Sequence, residues 1–444
     1  TLFPEGVEPK AKFWEMERFA SLTEELLSRR VPIFEAAFIA DGAFARVDVL
    51  VPVGKKSWDI VEVKSSTSVK DVNLHDVSLQ KHVCEKAGLK IRSCWVYHVN
   101  NQYVRQGGID AGALFTRAEV TGEVAVLQPK VASRLRAMKK MLAERKAPHV
   151  DIGPHCEDPY ECPLKDMCWS FLPEKSVFDV NRIGNKAYDL LSKGILRAEN
   201  IPDDYPLSDA QHIEISALRS GSAYAEEDRI RAFLDSLEYP LYYLDFETAS
   251  LVIPPFDKLR PYQAWPFQFS LHVVKKPGTK PVHHMFLAES AEDPRKDFMD
   301  ALMPLVGPKG SVVAYNMGFE KDKLRGIAEA YPEYAAWIGN LESRFVDLYA
   351  PFRERSYYHP SQGGSASMKA VLPALTGKSY DGMKISDGGE ASREFIRVMF
   401  GKAEPADRKA VLRSLRDYCE LDTLGMVEIV ESLVTLVARS KRER

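Results

Sequence analysis

Residues 239–250 read YPLYYLDFETAS. After Pro240 comes an apolar run, Leu241 to Phe246, whose single break is Asp245, and Glu247 follows two positions later. The composition predicts a buried strand at Leu241–Phe246. Strand side chains alternate, so Asp245 and Glu247 share a face. Carboxylates are costly to bury, and two side by side repel unless a cation stands between them. The pair therefore points to an oxygen-ligand site for a hard divalent ion, Mg²⁺ or Mn²⁺. A second α/β pattern starts at this strand and ends in a long helix, expected from about Ala406 to Ala438.

Two later stretches complete the pattern. Residues 312–324, VVAYNMGFEKDKL, carry Asn316, Phe319 and Glu320. Residues 417–426, DYCELDTLGM, put Tyr418 and Asp422 four apart, on one face of a helix. In this order the three stretches resemble the motifs of the DEDD exonucleases, in the tyrosine subclass of the DnaQ-like, RNase H-like fold. That family's second motif is His-Asn-x-x-Phe-Asp; here Glu320 stands in the place of Asp, with Asp322 a neighbouring substitute. The resemblance implies that Asp245, Glu247, Glu320 and Asp422 hold two ions about 4 Å apart. It also implies that Tyr418 positions the attacking water and that hydrolysis runs 3′→5′ on single strands. Asn316, Phe319 and Lys369, the last in GGSASMKAVLPAL (363–375), are candidate substrate contacts. The aromatics of RPYQAWPFQFSLHVV (260–274) offer stacking surfaces for bases, though such residues more often form core. Asp347 in FVDLYAPF is expected to serve locally.

The first half has its own α/β order. A helix is expected over 12–30, with Phe13, Met16, Phe19, Leu22, Leu26 and Leu27 near helical spacing. Strands are expected at Pro32–Ile39, Ala45–Val53 and Trp58–Lys64, a helix at Asp76–Ala87, and strands at Ser93–Val99 and near Gln102–Arg105. A basic helix, Lys130–Lys146, is expected to end at Pro148. Its Leu135, Met138, Met141 and Leu142 fall to one side; its cations form either a solvated face or a phosphate track.

Within these strands Asp48 interrupts ARVDVLV, and Glu62 and Lys64 share a face of WDIVEVKSS. An Asp, a Glu and a Lys at strand ends suit a metal-assisted hydrolysis in which Lys64 orients water or offsets developing charge. With Gln80 on the next helix, the set resembles the RecB-like branch of the PD-(D/E)XK nucleases. That branch continues Gln-x-x-x-Tyr, where this chain has Cys84. Glu35, in PIFEAAF, stands where such nucleases often carry a further acid.

Six cysteines in 444 residues make no disulfide scaffold. Cys156, Cys162 and Cys168 crowd into HCEDPYECPLKDMC, a loop expected to bind metal in a reducing cytoplasm. The loop resembles that of the Cas-four type of RecB-like nuclease, clamped by a [4Fe–4S] cluster. The resemblance implies a fourth cysteine ahead of Thr1. The alternative is Zn²⁺ with His155 as fourth ligand; Cys84 or Cys94 could also reach the loop, though each is more readily a buried small residue of the first core.

Hydrophobic residues make up 45% and charged ones 28%, and the net charge is −3, which excludes a broadly basic surface as the basis of nucleic-acid binding. No apolar run approaches a membrane span, and no signal-peptide pattern opens the chain, so a cytoplasmic location without membrane partners is expected. The expected fold class is α/β in two domains: 1–172 with a restriction-endonuclease-like core and the cysteine loop, a helical connector 173–237, and 238–444 with an RNase H-like core. The whole chain resembles a bacterial fusion family joining these two nucleases. The implied activity is phosphodiester hydrolysis of DNA, single-stranded or end-containing, with RNA as second candidate substrate, in repair or defence against foreign DNA. Two other readings stand beside it: one catalytic site with the other domain a nucleic-acid grip, and a non-enzymatic zinc-binding adaptor. The basic end RSKRER (439–444) is expected to be disordered.

Overall fold

The computed structural model describes residues 2–12 and 14–443, with side chains as far as Arg439. Phe13 and the side chains at 440–444 lie outside the described residues. The chain is mixed α/β and divides into two compact units, residues 1–151 with 251–263, and residues 152–250 with 264–444. The cysteine loop and the expected connector thus fall in the second unit. The segment 251–263 belongs to the first because its backbone is held there: Arg105 Nη1 donates to Pro254 O at 2.8 Å, and Gly107 N donates to Asp257 Oδ1 at 2.7 Å.

The first unit is built on a five-stranded sheet in the order β1 (Ile33–Ala40), β2 (Ala43–Val53), β3 (Ser57–Lys64), β4 (Lys90–Val99) and β5 (Phe115–Glu119). All neighbours are antiparallel except β3 and β4, which the helix Asp71–Lys86 connects in parallel. A parallel pair needs such a crossover. Ile33, Val47, Leu50, Ile60 and Val96 meet Val77, Val83 and Cys84 of that helix in one core. Met16–Leu27 forms the first helix. The strand expected near Gln102–Arg105 is absent: Arg105 is committed to the 254–259 segment, and the fifth strand lies at Phe115–Glu119. The basic helix runs Thr121–Leu142, starting earlier than expected and ending short of Pro148. Its Met138, Met141 and Leu142 are exposed rather than packed.

In the second unit a two-stranded sheet pairs β6 (Tyr224–Ala225) with β12 (Tyr357–Tyr358). The main sheet has β7 (Leu241–Ala249), β8 (Trp265–Val274), β9 (Val282–Leu287), β10 (Val312–Ala314) and β11 (Phe345–Asp347), in the order β11-β10-β7-β8-β9. Strands β11, β10 and β7 are parallel, whereas β8 and β9 continue antiparallel. Tyr242, Leu244 and Phe246 point into a core with Phe269, Phe298, Val312 and Ile327, which sends Asp245 and Glu247 to the opposite face. There the helix Pro405–Glu443 crosses the sheet, presenting Leu412, Leu415, Cys419, Met426, Val430 and Leu433 at helical spacing. Gln268 Nε2 anchors it by donating to Leu415 O at 2.9 Å. The basic end, expected to be disordered, is helical as far as Glu443. The stretch 173–237 carries a small core of its own around Val177, Ile183, Leu190, Ile201 and Ile215.

Gly310 enters β10 at φ +95°, and a Cβ there would stand 2.1 Å from Pro240 O, a backbone atom unable to swing aside. Gly278 has φ +75° with open space around it. Gly310→Ala should destabilise the second unit by about 2–3 kcal/mol, against about 1 kcal/mol for Gly278→Ala, which bears only the left-handed backbone cost. Urea unfolding of both variants measures the difference.

Candidate active sites

In the first unit three acids stand abreast. The ladder pairs Phe34↔Val49 and Ala36↔Val47 put Glu35 opposite Asp48, and Val49↔Val61 continues to place Asp48 opposite Glu62. Glu35 has φ +53°, a costly conformation for a non-glycine residue. Its carboxylate pairs with Arg46 at 2.8 Å. Asp48 Oδ2 accepts the Val63 N–H at 2.7 Å. Glu62 is buried between two donors: Lys64 Nζ at 2.7 Å from Oε1 and Gln80 Nε2 at 2.7 Å from Oε2. Lys64 also reaches Asp76 at 3.1 Å. Thus Asp48, Glu62, Lys64 and Gln80 meet as the spacing predicts, with Glu35 beside them. Burial, and then repulsion from Glu35, raises the Asp48 carboxyl above its ordinary range; burial and then Asp48 raise Glu62. Burial works against the Lys64 charge, but its bonds to Glu62 and Asp76 outweigh it and hold the ammonium protonated. Cys84, where the resemblance led one to look for Tyr, is fully buried in the core.

The second unit gathers its acids from three elements. Asp245 and Glu247 come from β7, Glu320 from the first turn of the helix Gly318–Ala330, and Asp422 from the C-terminal helix. Asp422 occupies a place in that helix's apolar stripe, between Cys419 and Met426. Glu247, Glu320 and Asp422 are each at most 5% exposed, so these charges sit in core rather than in water. Burial, and then Glu320, pushes Asp245 well above the carboxylate range; burial, Asp245 and Asp422 do the same to Glu247. Burial and Asp245 raise Asp422. Glu320 is pushed up to about 8, first by burial, and its Oε2 has no hydrogen-bond partner. Asp322 instead points outward to Lys323 at 2.7 Å, and its side chain is 71% exposed.

Asp245, Glu247 and Asp422 line a cavity of about 530 Å³, together with Phe319, Lys369, Tyr315 and Tyr418 among others. Tyr418 is buried and its phenol is raised by burial and then by Asp422, so it stays protonated. Lys369 Nζ lies 5.8 Å from the centroid of the Tyr418 ring. Asn316, at φ +71°, turns the chain into the Glu320 helix, and its N–H donates to Asp347 Oδ1 at 2.9 Å. Asp347 also accepts the Tyr349 N–H at 3.1 Å, and its charge is the one that adds to burial in raising Glu320. Tyr380 was not singled out by the sequence: its hydroxyl donates to Asp422 Oδ1 at 2.6 Å. Cys419 is the other omission, its thiol 3.7 Å from Asp245 Oδ2. Of the aromatics in 260–274, Trp265, Phe267 and Phe269 take the core role that such residues have more often: they are buried, with Phe267 stacked on Phe395 at 3.8 Å.

A set of acidic oxygens, one of them lacking any partner, fits hard divalent cations. At the cysteine loop Cys156 is buried while Cys162 and Cys168 are partly exposed, and Cys162 N donates to Cys156 O at 2.8 Å. Among the described residues the three thiols, with or without His155, do not draw within the 4.8 Å that marks the Asp245, Glu247, Cys419 group. Cys84 and Cys94 belong to the first unit's core.

A carboxyl whose folded pKa exceeds its unfolded value favours the fold while protonated. The Glu320 contribution is therefore complete below about pH 4.5 and lost as pH rises through about 8. The melting temperature of chelator-treated protein should fall over this window, and Mn²⁺ should restore it, most strongly at the alkaline end. Asp245→Asn, which removes one repelling charge, should flatten both responses in differential scanning fluorimetry.

The family described as "Domain of unknown function (DUF2779)" matches residues 242–367, which include Asp245, Glu247 and Glu320 and stop short of Lys369, Tyr418 and Asp422. The "Uncharacterized protein MG366 homolog" of Mycoplasma pneumoniae is 24% identical over 236 residues. That match covers 49% of this chain and 36% of the relative, so the chain spans little more than a third of that protein's length.

Proposed function

We propose that this chain is a metal-dependent nuclease with two active sites, acting on DNA that is single-stranded or has free ends. In this reading the first unit is a RecB-like PD-(D/E)XK nuclease and the second an RNase H-like DEDD exonuclease. The observation that carries it is the buried group Asp245, Glu247 and Asp422 on an open cavity, with Glu320 beside Asp245, where burial and then neighbouring carboxylates raise every carboxyl. Such a cost is uncompensated unless cations bind.

The residues divide the work by position. Asp245, Glu247, Glu320 and Asp422 supply the oxygen ligands, and the Tyr380 hydroxyl fixes the Asp422 carboxylate. Tyr418, kept protonated, orients a water for in-line attack, and the Lys369 cation lies near it to offset charge that develops on the phosphate. Phe319, 38% exposed on the cavity wall, offers a face to a terminal base. When bound, a pair of Mg²⁺ or Mn²⁺ ions lowers the pKa of water and stabilises the leaving oxygen.

In the first unit Asp48 and Glu62 are the ligand pair, with Glu35 behind Asp48. Gln80 fixes one oxygen of Glu62, and Lys64 orients water. We assign Cys156, Cys162 and Cys168 to a structural [4Fe–4S] cluster, whose sulfurs spread more widely than those around one zinc ion.

Degradation of end-labelled single-stranded DNA with Mn²⁺, beside matched RNA, tests the reading. Asp245→Asn and Asp422→Asn should remove one product pattern and Asp48→Asn or Lys64→Ala another, each by on the order of 100-fold or more. An unchanged digest in Asp245→Asn would sink the exonuclease assignment, and one unchanged in Asp48→Asn would reduce the first unit to a grip. Anaerobically purified protein should be brown and bleach with Cys162→Ala; a colourless protein holding stoichiometric zinc would replace the cluster with Zn²⁺.

A further inference from the structure

Beside the carboxylates, on the same face of the same sheet, lies a second cluster of different chemistry. His272 of β8 and His283 of β9 are direct cross-strand partners, with ring centroids 4.5 Å apart and planes 20° from parallel. From the C-terminal helix Glu420 brings Oε1 to 3.6 Å from His283 Nδ1. One ligand atom from each of the three residues lies within 4.8 Å of the others.

Hydrogen bonds around the cluster account for its protons. His272 Nδ1 stands 2.8 Å from Thr423 Oγ1, and His283 Nε2 stands 2.9 Å from Ser270 Oγ. The two hydroxyls are 2.6 Å apart, and Thr423 Oγ1 donates onward to Glu420 O at 3.2 Å. One direction satisfies this whole chain. His283 Nε2–H donates to Ser270, Ser270 donates to Thr423, Thr423 donates to the Glu420 carbonyl, and His272 Nδ1–H donates to Thr423. Each imidazole then carries its proton on the nitrogen that faces a hydroxyl. The lone pairs left over are at His272 Nε2 and His283 Nδ1, and the second faces a carboxylate oxygen with no proton between them. Two ligand atoms of a tetrahedral zinc ion stand about 3.4 Å apart, against 3.6 Å between His283 Nδ1 and Glu420 Oε1; because an ion lies in the plane of each imidazole that binds it, the near-parallel rings turn apart on loading.

We propose that His272, His283 and Glu420 form a site for a divalent transition ion, Zn²⁺ by its imidazole and carboxylate ligands, separate from the hard-ion site at Asp245. Ser270 and Thr423 are its positioning residues, each fixing a tautomer through the ring nitrogen that does not bind. The fourth coordination position opens to solvent, because β9 is the sheet edge and Glu420 is 46% exposed in its side chain. An ion here ties the helical turn that carries Asp422 to β8 and β9. Ser270 itself is the cross-strand partner of Asp245, so the site braces the carboxylate cluster from one side.

The test is zinc content per chain after chelation and re-equilibration with Zn²⁺, read by mass spectrometry on full-length protein. Comparison is with His283→Ala, Glu420→Ala and Asp245→Asn. Both cluster variants should hold one equivalent less than wild type, while Asp245→Asn keeps it. Cobalt substitution should give visible ligand-field bands that both cluster variants lose, with thiolate charge-transfer intensity from the cysteine loop unchanged. Equal zinc in all four proteins overturns the site, as does a loss seen only in Asp245→Asn, which would move the ion to the carboxylates. Should His283→Ala prove unfolded by circular dichroism, the surface variant Glu420→Ala decides. None of these readouts requires nuclease activity, so this site and the proposed function fail separately.

Discussion

Burial of Asp245, Glu247, Glu320 and Asp422, and after it the repulsion each meets from neighbouring carboxylates, is the constraint around which the second unit is arranged. Carboxylates brought together out of water cost more than any single hydrogen bond returns. The chain meets that cost with rigid supports on every side. Phe246 and Leu244 lock β7 from beneath, Gln268 ties the C-terminal helix to β8, and Tyr380 holds one oxygen of Asp422. Glu320 sits in the first turn of its helix, where backbone N–H groups favour negative charge, yet its carboxyl is still pushed up to about 8. Burial outweighs the helix end here, which makes the pocket a receptor for positive charge.

How much of this was legible follows from which signals are local. A continuous apolar run revealed β7, and the strand period of two put the acids that interrupt it on one face. Helical spacing placed Tyr418 and Asp422 together, and Asp422 stands out as an acid within an otherwise apolar stripe. The substitution at Glu320 was readable from Asn316 and Phe319, and the structure turns Asp322 outward. Tyr380 was invisible for the opposite reason: its loop has no period, and only the tertiary fold brings its hydroxyl to Asp422. Cys419 looked like a core cysteine, and it is one that happens to abut Asp245.

What stayed open and what was misread share a cause. Aromatic content alone leaves a stacking platform and a core strand both open; it is Phe395, more than a hundred residues away, that makes Phe267 core. Residues 251–263 follow directly on β7, yet their hydrogen bonds run to Arg105 and Gly107 in the first unit, a pairing with no trace in local pattern. The fifth strand was misplaced because Gln102–Arg105 has the composition of a strand, but Gln102 and Tyr103 turn back to Asn100 and Arg105 spends its backbone on that same segment. Long-range commitments of this kind override propensity.

The two carboxylate sites answer the same electrostatic problem differently. At the first, Lys64 is in direct contact with Glu62, Arg46 neutralises Glu35, and Gln80 and Val63 each donate a hydrogen bond. Its acids are raised but partnered within the protein. At the second, Lys369 moderates Glu247 and Asp422 from a distance, and Glu320 keeps an oxygen with no partner. A built-in cation does part of a bound ion's work on the ground state, and so reduces what metal binding can add. The second site has no such substitute, and under the proposed function its charge balance falls to bound ions. On that reading it is the site of the two whose folding and chemistry are coupled more tightly to metal.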